Sequence, residues 1–159
     1  MDKADKIKWC LEKNEGLELV EPNSGLADGY IRKAEAALET NGLARDRDWK
    51  ISTAYYSLYF SVYAVLIRVG IKCEIHSCTI EFAKRFLREF FSRREIQLFE
   101  DSLEARKDAQ YYVNRNVSDE TYQRMIGGAS DMIAKCKDIL AKIDDKKVNE
   151  IRSALKAVM

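Results

Sequence analysis

The sequence predicts an all-α protein, an up-and-down bundle of four to five main helices with short extra helices at both ends. The 159 residues include one proline and seven glycines, which leaves few positions that break a helix. Strong helix formers dominate the segments in which apolar residues recur every three or four positions, and strand patterns are almost absent. The length suits a single domain over 1–159, with a core at about 24–143.

Three helices are predicted before residue 70. The first is short and spans about Lys3 to Lys13. The second begins after a capping Asn23 or Ser24 and ends at Asn41-Gly42. The third, about Asp46 to Val69, is apolar on nearly all sides, which is typical of a buried central helix. We expect this helix to form core and subunit interface and not a membrane span, because its charge-free stretch is short and carries several hydroxyl groups.

Three further helices and a terminal one are predicted after residue 70. They span about Ser77 to Phe90, Ser92 to Val113, and Ser118 to Ile143, each with a serine at or near its start. A narrow apolar stripe runs along a C-terminal amphipathic helix at about 145–158. We expect that helix to dock either on its own bundle or on a partner.

Composition excludes little about function. The formal net charge is +1, so no global attraction to nucleic acid or anionic lipid is expected. The first ten residues, MDKADKIKWC, lack the apolar core of a secretory signal, which indicates a cytoplasmic protein. Four cysteines in such a protein are expected to be reduced thiols.

Arg106 is the most unusual position in the predicted core. It lies near the centre of an apolar helical stripe formed by Ile96, Phe99, Leu103 and Val113. A buried guanidinium without partners costs several kcal/mol. Gln110, one turn on, lies near the same stripe. The arginine could tie helices together through carbonyl groups, contact a phosphate or nucleotide, or take part in catalysis.

The stretch CEIHSC brings Cys73, the single histidine His76 and Cys78 within six residues. All three side chains are of types that bind zinc. A CxxC pair is missing, and a fourth ligand would have to come from a distant residue such as Cys10 or Cys136. We therefore expect a packed, hydrogen-bonded loop and no metal or other cofactor.

The stretch KRFLREFFSRR clusters five cations among aromatic residues, a combination that single-stranded RNA binders use. Phe86 and Phe90 are needed for the core, which would remove the stacking platform for bases. A solvated basic face is the favoured interpretation of Lys84, Arg85, Arg88, Arg93 and Arg94.

Two motifs in order, ISTAYYSLYFSVYAVLIRVGIKCEIHSC and EARKDAQYY, resemble the HEPN domain, particularly its archaeal and bacterial members. The likeness spans about residues 24–143. It implies a helical bundle that is commonly a homodimer and the partner of a minimal nucleotidyltransferase in toxin–antitoxin modules. HEPN domains also occur as nucleotide-binding or RNA-cleaving domains.

The resemblance carries over to the site only in part. HEPN ribonucleases have an arginine followed four to six residues later by a histidine. Here Arg106 matches the arginine, but Tyr111 or Tyr112 takes the place of the histidine, and a tyrosine with a pKa near 10 is a poor base at pH 7. In members paired with a nucleotidyltransferase a tyrosine after the motif receives AMP, which makes the same two tyrosines candidates.

The leading hypothesis is a homodimeric HEPN-type protein that binds a nucleotide or RNA phosphate through Arg106, Gln110, Tyr111 and Tyr112, without the standard ribonuclease activity. One alternative is a metal-independent ribonuclease toxin in which Arg106 and Tyr111 would be catalytic, or in which the fold brings in His76. Another is a structural helical adaptor that captures a partner through the C-terminal helix.

Overall fold

The computed structural model describes residues 2–159, apart from the side chains of Lys3 and Ala4. It confirms the all-α bundle. Seven helices lie in the described residues, with two very short strands between them. In chain order the elements are α1 (Lys3–Glu12), β1 (Glu18–Leu19), α2 (Ser24–Leu43), α3 (Arg47–Arg68), β2 (Ile71–Lys72), α4 (His76–Phe86), α5 (Arg93–Tyr111), α6 (Asp119–Lys142) and α7 (Asp145–Lys156).

Helix α3 is the central element of the core. It packs against α2, α5 and α6, and Ala54, Leu58 and Ala64 are fully buried along it. Its small residues let the neighbouring helices approach closely, while its tyrosines fill the space around them. No helix in residues 2–159 is long and apolar enough to cross a lipid bilayer.

The helix starts agree with the sequence expectations because the caps are local. The side chains of Asn23, Asp46 and Ser118 accept hydrogen bonds from the third residue of α2, α3 and α6, respectively. Ser92 and Glu95 form a reciprocal capping box at α5. Each cap satisfies backbone donors that a helix start leaves unpaired.

Two helix ends differ from the predictions. Helix α4 ends at Phe86, four residues earlier than expected, and a tight turn follows in which the amide groups of Phe90 and Phe91 donate to the carbonyl of Leu87. Helix α5 ends at Tyr111, so Val113 lies outside it and is completely exposed. The apolar stripe around Arg106 is therefore shorter than its sequence pattern indicates.

The C-terminal helix docks on its own bundle. Val148, Ile151 and Leu155 of α7 are buried. The guanidinium of Arg152 donates to the backbone carbonyls of Val20, Val69 and Gly70, at 2.8, 3.0 and 2.9 Å. The stripe that the adaptor hypothesis assigns to a partner is thus already covered.

The expectation of four reduced cysteines is wrong for two of them. Cys10 of α1 and Cys78 of α4 form a disulfide, with their Cα atoms 5.7 Å apart. The two residues are 68 positions apart in sequence, and only the packing of α1 against α4 brings them together. Cys73 and Cys136 are buried free thiols.

Candidate functional site

The candidate site lies where α3, the first turn of α4 and the last turns of α5 meet. Helix α3 contributes Tyr55, Tyr56 and Tyr59, which lie one turn or less apart. Helix α4 begins with His76, and α5 places Arg106 one turn before Gln110. Helix α3 thereby provides an aromatic wall between the imidazole and the guanidinium.

Arg106 is 9% exposed, and its guanidinium lies against aromatic faces. Its Cζ atom is 5.0, 5.8 and 5.9 Å from the ring centres of Tyr55, Tyr56 and Tyr111, respectively. Its Nη1 atom donates to Oε1 of Gln110 at 3.2 Å, and its buried Nε has no hydrogen-bond partner in the part of the chain that the structure describes. Aromatic faces stabilise a cation, but they satisfy none of the remaining N–H donors.

No carboxylate in residues 2–159 forms an ion pair with Arg106; the nearby Asp108 pairs with Arg115 instead, at 3.3 Å. A guanidinium has five N–H donors and keeps its charge at any physiological pH. Arg106 therefore combines a largely desolvated positive charge with unused donors, and an oxyanion would complement both.

His76 contacts the same aromatic wall through a hydrogen bond and a ring stack. Its Nδ1 atom is 2.6 Å from the hydroxyl of Tyr55, and its ring stacks on Tyr59 with ring centres 4.1 Å apart and planes 7° from parallel. This hydrogen bond occupies one ring nitrogen and leaves Nε2 for another partner. Tyr55 thus contacts Arg106 with its ring face and His76 with its hydroxyl.

Burial and positive charge set the protonation of the site. Burial, followed by the charges of Arg106 and Lys107, lowers the pKa of His76 from 6.5 to about 4. Burial raises the pKa of Tyr55 above its usual value, against the opposing effect of Arg106. Near pH 7 both side chains are neutral, so Arg106 and Lys107 supply the positive charge around this wall.

The two tyrosines of EARKDAQYY have different surroundings. Tyr111 is 64% exposed and lies beside Arg106. Tyr112 follows the helix, and Arg115 stacks over its ring at 3.7 Å. The structure therefore groups Tyr111 with Arg106 and Gln110, whereas Tyr112 belongs to a neighbouring contact.

The CEIHSC segment is only half a loop, contrary to the sequence expectation: Cys73 to Ile75 connect β2 to α4, and His76 to Cys78 form the first turn of that helix. Cys78 is held in the disulfide with Cys10, so it has no thiolate to offer a metal. The Cys73 thiol donates to the carbonyl of Ile75 at 3.3 Å, and burial raises its pKa. In the described residues no three His, Cys, Asp or Glu side chains are grouped to hold a metal ion.

The sequence interpretation missed the tyrosines of α3 as site residues. It assigned the whole of this helix to the core and the subunit interface and singled out none of its tyrosines. The spacing of these tyrosines along one helix is compatible with a place in the core and with a place in a binding site. Only the position of Arg106 on α5 shows that the same rings line a site.

No model of a known protein family matches the chain, and no curated protein matches it. An aromatic wall, a buried unpaired guanidinium, an amide and a neutral imidazole can bind a phosphate group and hold an adjacent ring system.

Proposed function

We propose that the chain binds a phosphate-bearing ligand, a nucleotide or an RNA phosphodiester, at Arg106. The observation that carries the proposal is the 9% exposed guanidinium of Arg106, which has no carboxylate partner in the described residues and an orphaned Nε. Arginine binds phosphate oxygens through paired N–H groups, and such bonds are strong where water is excluded. Gln110 and the exposed ring of Tyr111 supply polar and stacking contacts beside it.

The test is calorimetric titration of AMP, ATP and a short single-stranded RNA into the full chain. Arg106→Gln keeps length and polarity but removes the charge, and Arg115→Gln is the matched control on the same segment. We expect Arg106→Gln to weaken binding about tenfold or more, because hydrogen bonds to charged groups contribute about 1.5–3 kcal/mol. Loss of helical circular dichroism in Arg106→Gln would assign the arginine a structural role instead.

The biological setting of the proposal comes from the resemblance to HEPN domains. On that basis the chain is a homodimer and acts with a nucleotidyltransferase in a toxin–antitoxin-type module in the cytoplasm. Outside hyperthermophiles, stable disulfides are rare in the cytoplasm, so the Cys10–Cys78 bond does not favour that compartment. Purification from the native cell, followed by intact mass, would reveal a bound nucleotidyltransferase or an AMP adduct on tyrosine.

A dimer would also cover exposed apolar surface near the site. A hydrogen bond from Arg47 to the carbonyl of Val117 places the start of α3 beside the segment that follows α5. Trp49 near the start of α3, Tyr111 at the end of α5 and Val113 just after it are 64, 64 and 104% exposed, respectively. Light scattering of the wild type and of Trp49→Glu would show whether this end of the bundle is the subunit contact.

A metal-independent ribonuclease is the second candidate, and the Tyr55–His76 hydrogen bond favours it. The fold brings His76 to the same aromatic wall as Arg106, so a base and a phosphate-binding cation share one site. With a pKa of about 4, the imidazole is unprotonated at pH 7 but is only a weak base, because a general base works best when its pKa is near the operating pH. RNA cleavage in the presence of EDTA that is lost in both Arg106→Gln and His76→Gln would support this function; cleavage unchanged in both would exclude the site.

A further inference from the structure

A cavity of about 500 Å³ lies between the C-terminal part of α4, the turn after it and the start of α5. We name it the α4–α5 cavity. Its charged lining consists of four cations and two carboxylates and has a net charge of +2: Lys84, Arg85, Arg88, Arg93, Glu81 and Glu100. It is separate from the Arg106 site, because Arg93 and Arg106 are thirteen residues apart on α5, or about 20 Å along the helix axis.

Three of the four cations have no acidic partner among the described residues. Lys84 hydrogen-bonds to Glu100 at 2.9 Å, which raises the pKa of the lysine and keeps it charged. None of Arg85, Arg88 and Arg93 forms an ion pair in the part of the chain that the structure describes. Three guanidinium groups around one cavity repel one another and are available to an anion.

The cavity offers charge but no exposed aromatic face. Its apolar wall includes Phe91 and Ile96, which are 4 and 8% exposed, and Phe86 is packed against the core. Bases of single-stranded nucleic acid need open rings on which to stack. The site is therefore suited to phosphate groups themselves, and its volume is within the range of small-molecule sites.

The surface beside the cavity does not continue the positive charge. The groove that extends from Lys84 toward Lys107 has no net charge, since its lining includes three carboxylates and three lysines: Glu100, Asp101, Glu104, Lys6, Lys84 and Lys107. An RNA backbone would leave the positive region there, whereas a compact anion would remain within the cavity, whose lining carries a net charge of +2.

We propose that the α4–α5 cavity binds a small oligophosphate anion, either inorganic triphosphate or the triphosphate group of a nucleotide, through Arg85, Arg88 and Arg93. Each guanidinium can donate two parallel hydrogen bonds to phosphate oxygens. The start of α5 adds the partial positive charge of a helix N-terminus at Arg93. This site is additional to the one proposed at Arg106 and does not depend on it.

The test uses the full chain with inorganic triphosphate and with ATP as probes, followed by calorimetry and by amide chemical shifts. The double variant Arg88→Gln/Arg93→Gln removes two exposed arginines that make no ion pair in residues 2–159. Arg94→Gln is the matched control, since Arg94 is adjacent in sequence but lines a different groove, between α5 and α6. We expect shifts at residues 84–97, at least about tenfold weaker binding in the double variant, and unchanged binding in the control.

The two probes distinguish the source of the phosphate. Equal affinities would assign recognition to the phosphate groups alone, and tighter ATP binding at the same residues would identify a nucleotide; both results support the proposal. The absence of saturable binding, unchanged affinity in the double variant, an equal loss in Arg94→Gln, or shifts confined to His76 and Arg106 would each overturn it. Displacement of triphosphate by RNA whose affinity increases with length would replace it with a nucleic-acid surface.

Discussion

The hydroxyl of Tyr55 lies 2.6 Å from Nδ1 of His76, while the ring of the same tyrosine lies under the guanidinium of Arg106. One side chain of α3 thus contacts the imidazole of α4 and the cation of α5. The charge of Arg106 consequently influences His76 without a direct bond. This relationship makes the histidine a reporter of the state of the arginine.

The first prediction concerns the pKa of His76. It is the only histidine in the chain, so its ring proton signals can be followed without ambiguity in an NMR titration. We expect a pKa of about 4, and a higher pKa in Arg106→Gln, because one of the charges that lower it is removed. Lys84→Gln is the control, since Lys84 is not among the groups that shift this pKa. A wild-type value near 6.5 would contradict the buried environment described here.

The same shift predicts how stability depends on pH. Between pH 6.5 and about 4 the unfolded chain protonates His76 while the folded protein does not, so the free energy of unfolding falls as the pH falls. The stability that the folded protein gains from keeping His76 neutral is fully present above pH 6.5 and is lost as the pH falls to about 4. This loss lowers the free energy of unfolding by at most about 3 kcal/mol. Urea unfolding of the wild type and of His76→Gln at pH 7 and pH 5 measures this loss, because the variant has no imidazole to protonate. The free energy of unfolding should therefore fall less between pH 7 and pH 5 in the variant than in the wild type. Parallel pH dependences would contradict the assignment.

The second prediction concerns the disulfide. Mass spectrometry of protein alkylated in denaturant without reductant should show two modified cysteines, Cys73 and Cys136, and four after reduction. Four alkylated cysteines before reduction would show that Cys10 and Cys78 form no disulfide.

The disulfide also makes a testable contribution to stability. Cys10→Ser/Cys78→Ser should lower the free energy of unfolding by on the order of 4 kcal/mol, because the bond closes a long loop in the unfolded chain. The control is Cys136→Ser, which changes a buried thiol that forms no disulfide. An equal loss in both proteins would show that the bond contributes nothing beyond packing.

The local parts of this fold could be predicted from sequence, but its long-range contacts could not. The caps Asn23, Asp46 and Ser118 depend on residues three positions away, and their type identifies them. The Tyr55–His76 hydrogen bond joins residues 21 positions apart, and neither residue reveals its partner. Arg106 stood out because a charge interrupts an apolar stripe, whereas the tyrosines that surround it match the composition of a core.

The third prediction distinguishes the two adjacent tyrosines. Tyr111→Ala should weaken nucleotide binding by about 0.5–1 kcal/mol, because its ring lies beside the Arg106 guanidinium. Tyr112→Ala should leave the affinity unchanged, because its ring contacts Arg115. Both variants are measured by calorimetry with AMP. A larger loss of AMP affinity in Tyr112→Ala than in Tyr111→Ala would place the ligand on the Arg115 side of the segment.

The central claim is that the charge of Arg106 is available to a phosphate group, and the His76 titration tests it most directly when repeated with saturating AMP. A phosphate bound at Arg106 reduces the positive field at His76. We predict that AMP raises the pKa of His76 and shifts the Nε–H signal of Arg106 in the wild type. In Arg106→Gln the same AMP concentration should leave the His76 pKa unchanged. Saturable AMP binding that leaves both signals of the wild type unchanged would contradict the account.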